Sequence, residues 1–96
     1  MMASYRISRD AQLDIQEIQD YIAKWNPLNA IRFADKIRDT IRILADAPHI
    51  GRKRDDLTTG LRTHPLGNYI IFYRPFREYI EVVRVISARR DIESLF

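Results

Sequence analysis

The apolar positions between residues 11 and 45 repeat with the period of an α-helix. In the first segment they fall four, three, four and three residues apart, and in the second they occupy one side of a helix. The two sets are Ala11, Ile15, Ile18, Ile22 and Trp25, then Ala30, Phe33, Ala34, Ile37, Ile41, Leu44 and Ala45. Between them lies Asn26-Pro27, which predicts an N-cap followed by the first residue of a new helix. The pattern predicts two antiparallel helices packed as a hairpin, with these residues facing the core.

The segment before the first helix predicts a short strand. Ser4 to Ile7 is too short to be stable alone, so we expect it to pair with strands formed later in the chain. Ser8 stands at the N-cap position and Asp10 in the first helical turn, where a carboxylate suits the helix dipole.

The second half of the chain has the composition of β-strands. The segments Asn68 to Arg74 and Tyr79 to Ser87 are rich in β-branched and aromatic residues. Pro75 to Glu78 predicts the turn of an antiparallel hairpin. Leu61 to Leu66 is expected to be irregular or frayed, because Pro65 removes a backbone donor.

Together these elements predict one α+β domain over residues 1–96 with the order β-α-α-β-β-β. Its helical hairpin should pack on a mainly antiparallel sheet, and a short C-terminal segment should follow. A chain of 96 residues has room for a single core.

Both faces of the predicted sheet are apolar. On the last strand, one face should contain Ile80, Val82, Arg84 and Ile86, and the other Tyr79, Glu81, Val83, Val85 and Ser87. The helical hairpin can cover only one face, so the tail from Ala88 to Phe96 or a partner must cover the other. An apolar patch of that size usually marks an interaction site, and we therefore favour a partner.

Composition excludes several kinds of chemistry. The chain has no cysteine, which excludes disulfides and thiolate catalysis. His49 and His64 are isolated and lack the spacing of metal ligands, so we predict no metal site. The apolar runs are too short to cross a bilayer, and the N-terminal residues lack the apolar core of a signal peptide. We expect a cytoplasmic protein that does not contact a membrane.

The excess positive charge lies in the strand-rich half. Residues 1–49 contain seven basic and seven acidic residues, whereas residues 50–96 contain nine and six. Arginines are the main candidates for chemistry, because guanidinium groups bind phosphates and stabilise negative charge. Those that could converge on one surface are Arg62, Arg84, Arg89 and Arg90. For most arginines we favour a simpler interpretation, which is local pairing with Asp55, Asp56, Glu81, Asp91 or Glu93.

The segment GRKRDDLTTGLRTHPLGNYIIFYR, followed by EVVRVISARRD, resembles the ParE/RelE superfamily of bacterial toxins from type II toxin–antitoxin operons. The resemblance extends over nearly the whole chain. Within the superfamily, Gly60–Arg62, the Tyr-x-x-Phe-Tyr-Arg motif at Tyr69–Arg74 and the Arg90-Asp91 pair are most similar to the ParE branch. ParE-like toxins are understood to poison DNA gyrase, whereas RelE-like relatives cut messenger RNA on the ribosome.

Two positions favour the gyrase-directed branch. The nuclease branch typically has an arginine after the third-strand tyrosine and a terminal Tyr or His. This chain has Ile70 after Tyr69, and it ends in Phe96. The resemblance therefore implies a gyrase inhibitor that is not an enzyme, with no catalytic residue, no cofactor and no small-molecule substrate.

Two alternatives stay open. One is a RelE-like, ribosome-dependent ribonuclease that uses Arg62, Arg84 and Arg90 near the phosphate. The other is an inactive relative that serves only as the partner of an antitoxin.

The resemblance also implies protein partners. These are a cognate antitoxin, whose flexible C-terminal segment folds onto the toxin, and DNA gyrase. In the ribonuclease alternative, the ribosome and messenger RNA replace gyrase. The residues expected to contact the antitoxin or the target are Arg62, Tyr69, Tyr73, Arg74, Arg84, Arg89 and Arg90.

Overall fold

The computed structural model describes residues 4–96, which form two helices packed on one five-stranded sheet. In chain order the elements are β1 (Ser4–Ile7), α1 (Arg9–Trp25), α2 (Pro27–Asp46), β2 (Arg52–Lys53), β3 (Arg62–Leu66), β4 (Tyr69–Pro75), β5 (Tyr79–Ser87) and a 3₁₀ turn (Glu93–Leu95). The strand order is β1-β5-β4-β3-β2, with β1 parallel to β5 and the other pairs antiparallel. The predicted α+β class and element order are confirmed, with the short β2 as an addition. Of the domain predicted over 1–96, residues 1–3 lie outside the described part of the chain.

The helix boundaries follow the predicted caps. Ser8 Oγ accepts a hydrogen bond from the N–H of Ala11 at 3.0 Å and so begins α1. Asn26 serves both helices: its N–H donates to Ile22 O at 2.8 Å, and its Oδ1 accepts from the N–H of Asn29 at 3.1 Å. Because one residue ends α1 and begins α2, the helices are held as a tight hairpin.

The helices bury their apolar sides against the sheet. This core consists of Ala11, Ile37, Ile41, Leu44 and Ala45 from the helices, and Leu66, Ile71, Tyr73, Ile80, Val82 and Val85 from the sheet. The prediction that Trp25 faces the core is wrong, because its side chain is 79% exposed. It is the last residue of α1, at the tip of the hairpin, where the chain turns into α2 and leaves the ring in solvent.

Alternation along β5 is interrupted by one inserted residue. Phe72 and Tyr73 are neighbours on β4, but their partners on β5 are two residues apart, which leaves Val83 as a β-bulge. Before the bulge the even-numbered residues of β5 pack under the helices. After it Val85 does so, and Ile86 packs on the opposite face. The prediction was therefore wrong for both sets: Ile80 and Val82 lie on the opposite face from Ile86, and Val83 packs on the opposite face from Val85.

Strand β3 is regular, so the prediction of an irregular or frayed segment was wrong. Each residue of β3 pairs with β4, and Pro65 lies opposite Ile70. On its other side β3 pairs only at Arg62 and Thr63, with β2. Pro65 therefore lies at a sheet edge, where a missing N–H removes no hydrogen bond of the ladder.

The chain itself covers the second face of the sheet. The tail places three apolar side chains over three buried ones: Ile92, Leu95 and Phe96 over Leu61, Phe72 and Ile86. The ring centroids of Phe72 and Phe96 are 4.9 Å apart. We favoured a partner on this face, and that prediction is wrong. The C-terminal segment, whose structure the sequence did not decide, forms a 3₁₀ turn and folds back onto the sheet.

Asp14 of α1 closes the free edge of β5. Strand β1 pairs with only the first four residues of β5, and beyond them the N–H of Val85 donates to Asp14 Oδ2 at 3.0 Å. Arg84 donates to both oxygens of this carboxylate, from Nε at 2.7 Å and from Nη2 at 3.0 Å. The hydrogen bonds to Asp14 raise the pKa of Arg84. At the start of α1, Ser8 Oγ donates to Val83 O at 2.8 Å, so two side chains fasten the helix to this edge.

Replacing Asp14 by alanine should lower the free energy of unfolding by roughly 2–4 kcal/mol, because Arg84 and the N–H of Val85 lose their acceptor in a partly buried position. Urea unfolding followed by circular dichroism measures this change. Asp39→Ala is the matched control, since Asp39 forms an exposed pair with Arg42 at 3.9 Å. That variant should differ from the parent by no more than about 0.5 kcal/mol. Equal losses in the two variants would show that Asp14 does not fasten the edge.

Replacing Phe96 by alanine should uncover Phe72 and lower the free energy of unfolding by roughly 1–3 kcal/mol. The variant should also bind an apolar fluorescent dye such as anilinonaphthalene sulfonate, because the second face of the sheet becomes accessible. Phe76→Ala is the control for dye binding, since Phe76 lies in the exposed turn between β4 and β5. A tail that packs only loosely would be indicated by unchanged stability and unchanged dye fluorescence in Phe96→Ala.

Candidate interaction surface

The sequence predicts seven contact residues, and the structure divides them into two groups. Three are engaged inside the fold: Arg62, Tyr73 and Arg84. Four have side chains that reach the surface: Tyr69, Arg74, Arg89 and Arg90.

Arg62 and Tyr73 hold the segment that follows α2. The Tyr73 hydroxyl donates to Pro48 O at 2.8 Å and accepts from the N–H of Gly51 at 2.9 Å. Arg62 Nη1 donates to the carbonyls of His49 and Gly51 at 3.1 and 2.8 Å. A Cβ at position 51 would overlap the Tyr73 hydroxyl, so glycine is required there. Tyr73 is completely buried in the core, and this burial raises the pKa of its hydroxyl.

We favoured local ion pairs between most arginines and five acids. Within residues 4–96, Asp56 is the only one of these five acids that pairs with an arginine. Arg54 donates to both oxygens of Asp56, at 3.0 and 2.9 Å. This bond raises the pKa of Arg54 and lowers that of Asp56. Arg84 pairs instead with Asp14, which lies 70 residues earlier in the chain. Sequence spacing does not reveal a partner at that separation, because only the fold brings α1 to the edge of β5.

Arg74 has a donor without an acceptor. Its side chain packs beside Gly60, and its Nε is buried with no hydrogen-bond partner in the described part of the chain. Its Cα lies opposite that of Glu81 on β5, yet no ion pair between the two is formed among residues 4–96. A buried N–H without an acceptor costs free energy. A partner can reach only the exposed part of the Arg74 guanidinium and not the buried Nε.

Tyr69 and Arg89 lie together in one surface cleft, called the β5-end cleft below. It lies where β4 begins and β5 ends, and its volume is about 400 Å³. Its lining consists of Tyr21, Asn68, Tyr69, Ser87 and Arg89. None of these residues has a carboxylate, and Arg89 supplies the one charge of the lining.

Three residues of this cleft are not among the predicted contact residues: Tyr21, Asn68 and Ser87. Tyr21 lies on α1 next to the apolar side of the helix, and 55% of its surface is exposed. The sequence feature that could have identified Tyr21 is an aromatic residue next to the apolar side of an amphipathic helix. It pointed to no particular site, because the end of β5 is brought next to it only by the fold.

The arginines of the ribonuclease alternative are engaged by different elements. Arg62 is bonded to the segment after α2, Arg84 is bonded to α1, and Arg90 lies exposed in the turn after β5. A phosphate would have to compete with internal acceptors for the first two.

Residues 4–96 contain no group of three or more His, Cys, Asp or Glu side chains arranged to hold a metal ion. In the same part of the chain, the helices are too short or too polar to span a membrane.

Comparison with known proteins identifies the family. The family described as the ParE toxin of type II toxin–antitoxin system, parDE, matches residues 5–92. Toxin ParE1 of Caulobacter vibrioides is 31% identical over 94 residues, which are 97% of this chain and 97% of that protein. A solved structure described as the chromosomal ParDE TA system from P. aeruginosa shares the fold, with a TM-score of 0.75 and 22% identity over 90% of this chain and 96% of that chain. From the near-complete family match and the full-length relative, we conclude that this chain belongs to the ParE toxin family of type II toxin–antitoxin systems.

Proposed function

We propose that this chain poisons DNA gyrase and that a cognate antitoxin protein neutralises it. The observation that carries the proposal is the family match over residues 5–92. ParE-like toxins are understood to stall gyrase on cleaved DNA. In this proposal the chain acts in the cytoplasm by binding, and it catalyses no reaction.

The arrangement of the arginines supports a binding role. Cleavage of RNA without a metal needs a general base and a general acid beside the cations. Here Arg62 and Arg84 are bonded within the fold, and Phe96 packs its ring on Phe72 and has no side-chain proton to donate. These features favour an inhibitor that acts through contact over a ribonuclease.

We assign the contact surface to the residues whose side chains reach solvent: Tyr69, Arg74, Arg89 and Arg90. Arg62, Tyr73 and Arg84 contribute indirectly, because they hold the strands, α1 and the segment after α2 in place. Arg74 is the residue we assign to the antitoxin, since its side chain is partly exposed and pairs with no acid within residues 4–96, so an acidic side chain of the antitoxin can pair with the exposed part of its guanidinium.

A gyrase cleavage assay tests the target. Increasing amounts of the purified chain should inhibit supercoiling and cause linear, gyrase-linked DNA to accumulate. Arg90→Ala should reduce the amount of linear DNA, because it removes an exposed contact charge without changing the core. Lys24→Ala is the matched control, since Lys24 is an exposed cation in the last turn of α1. Undisturbed supercoiling, with no linear DNA at any concentration, would reject gyrase as the target, and translating ribosomes would be examined next for cut messenger RNA.

Arg74 variants test the antitoxin contact. Arg74→Ala should weaken binding of the cognate antitoxin by about tenfold to a hundredfold, the effect of losing a hydrogen bond between charged groups. Arg74→Lys should recover only part of the affinity, because lysine keeps the charge but lacks the planar guanidinium that bonds both oxygens of a carboxylate. Titration calorimetry measures both, with Arg77→Ala in the exposed β4–β5 turn as the control. An antitoxin that binds Arg74→Ala as tightly as it binds the parent would remove Arg74 from the interface.

A further inference from the structure

We propose that the β5-end cleft binds one unpaired nucleotide of single-stranded DNA. This inference goes beyond gyrase and antitoxin, because it assigns to the toxin a nucleic-acid contact of its own. It rests on the size of the cleft, the chemistry of its lining and the rigidity of its walls.

The size and aromatic lining of the cleft fit a nucleotide. Its volume of about 400 Å³ lies in the range of small-molecule sites. Tyr21 and Tyr69 both line it, and the ring of Tyr21 is largely exposed. Unpaired bases bind proteins by stacking on such rings, with little dependence on sequence. Asn68 and Ser87 add the hydrogen-bond donors and acceptors that recognise base edges.

The charge of the cleft fits a phosphate. Arg89 is the charged member of the lining, and its exposed guanidinium can bind two oxygens of one phosphate. Arg90 lies next to it in the same turn and is also exposed. An acidic peptide would use the same cation, but it would leave the phenol rings and the amide of Asn68 without a partner. The complete lining therefore matches a nucleotide better than a carboxylate.

Contacts within the fold hold the part of the cleft formed by Tyr69 and by the backbone of Asn68. The ring of Tyr69 is held by an edge-to-face contact with Phe33, with centroids 5.5 Å apart. The N–H of Ala88 donates to Asn68 O at 2.9 Å, which ties the end of β5 to the start of β4. A site that is already ordered loses less conformational entropy when a ligand binds.

Fluorescence anisotropy of a labelled oligothymidylate tests the proposal with the full chain and without gyrase. Its failure would therefore leave the gyrase proposal intact. Tyr21→Ala should weaken binding by about tenfold, the usual effect of losing one stacked base, whereas Tyr21→Phe should retain the affinity. Arg89→Ala should change how affinity depends on salt. The slope of the logarithm of the association constant against the logarithm of the salt concentration should become less negative by about 0.7, the effect of losing one phosphate contact to a single strand. Tyr21 and Arg89 are exposed, so circular dichroism should show both variants folded.

Phe76→Ala and Arg77→Ala are the matched controls. They change an exposed phenyl ring and an exposed guanidinium in the β4–β5 turn, at the other end of the β-hairpin. Both should bind the oligonucleotide like the parent chain, with an unchanged salt slope.

Several results would overturn the proposal. One is the absence of saturable binding, and another is equal weakening by Arg77→Ala and Arg89→Ala, which indicates general attraction between charges. Duplex DNA that binds as tightly as the single strand would exclude stacking of an unpaired base. An oligoglutamate that displaces the oligonucleotide at equal concentration would show that the cleft selects negative charge alone.

Discussion

The carboxylate of Asp14 is the contact on which the arrangement of helices and sheet depends. Strand β5 is longer than β1, so the end of β5 would present unpaired backbone groups to solvent. Asp14 accepts a hydrogen bond from the N–H of Val85 and forms an ion pair with Arg84. The side chain of Arg84 is 24% exposed and that of Asp14 is 12% exposed. One carboxylate thus supplies the acceptor for an N–H at the strand edge and for the partly buried charge of Arg84. Since Asn26 joins α1 directly to α2, fixing α1 also positions the second helix over the core.

A sheet with two apolar faces needs two covers, and this chain supplies both. The helices pack on one face, and the tail residues Leu95 and Phe96 pack on the other. The bulge at Val83 makes this division possible, because it moves Val85 to the helix side and Ile86 to the tail side within one strand. Exposed arginine and tyrosine side chains therefore remain at edges, turns and clefts, which is where our proposals place the contacts with partners.

Local features of this fold were predictable, and features that depend on distant residues were not. The caps Ser8 and Asn26 and the extent of β5 follow from neighbouring residues, which interact in much the same way in any fold. The regular pairing of Pro65 depends on where β2 stops, and the exposure of Trp25 depends on where the hairpin tip lies. The same division holds for the site. Residue type identified the arginines, but only the fold shows which ones already have acceptors.

The distribution of acceptors decides what each arginine can do. Arg84 and Arg62 bind a carboxylate and carbonyls within the chain, so a mutation at either acts first on stability. Arg74 is partly exposed and pairs with no acid among the described residues, and Arg89 lines a cleft without a carboxylate, so the exposed guanidinium nitrogens of both can bind another molecule. Loss of toxicity in an arginine variant therefore identifies a contact residue only when the variant is as stable as the parent. For this fold, measurements of stability must accompany every assay of gyrase, antitoxin or DNA binding.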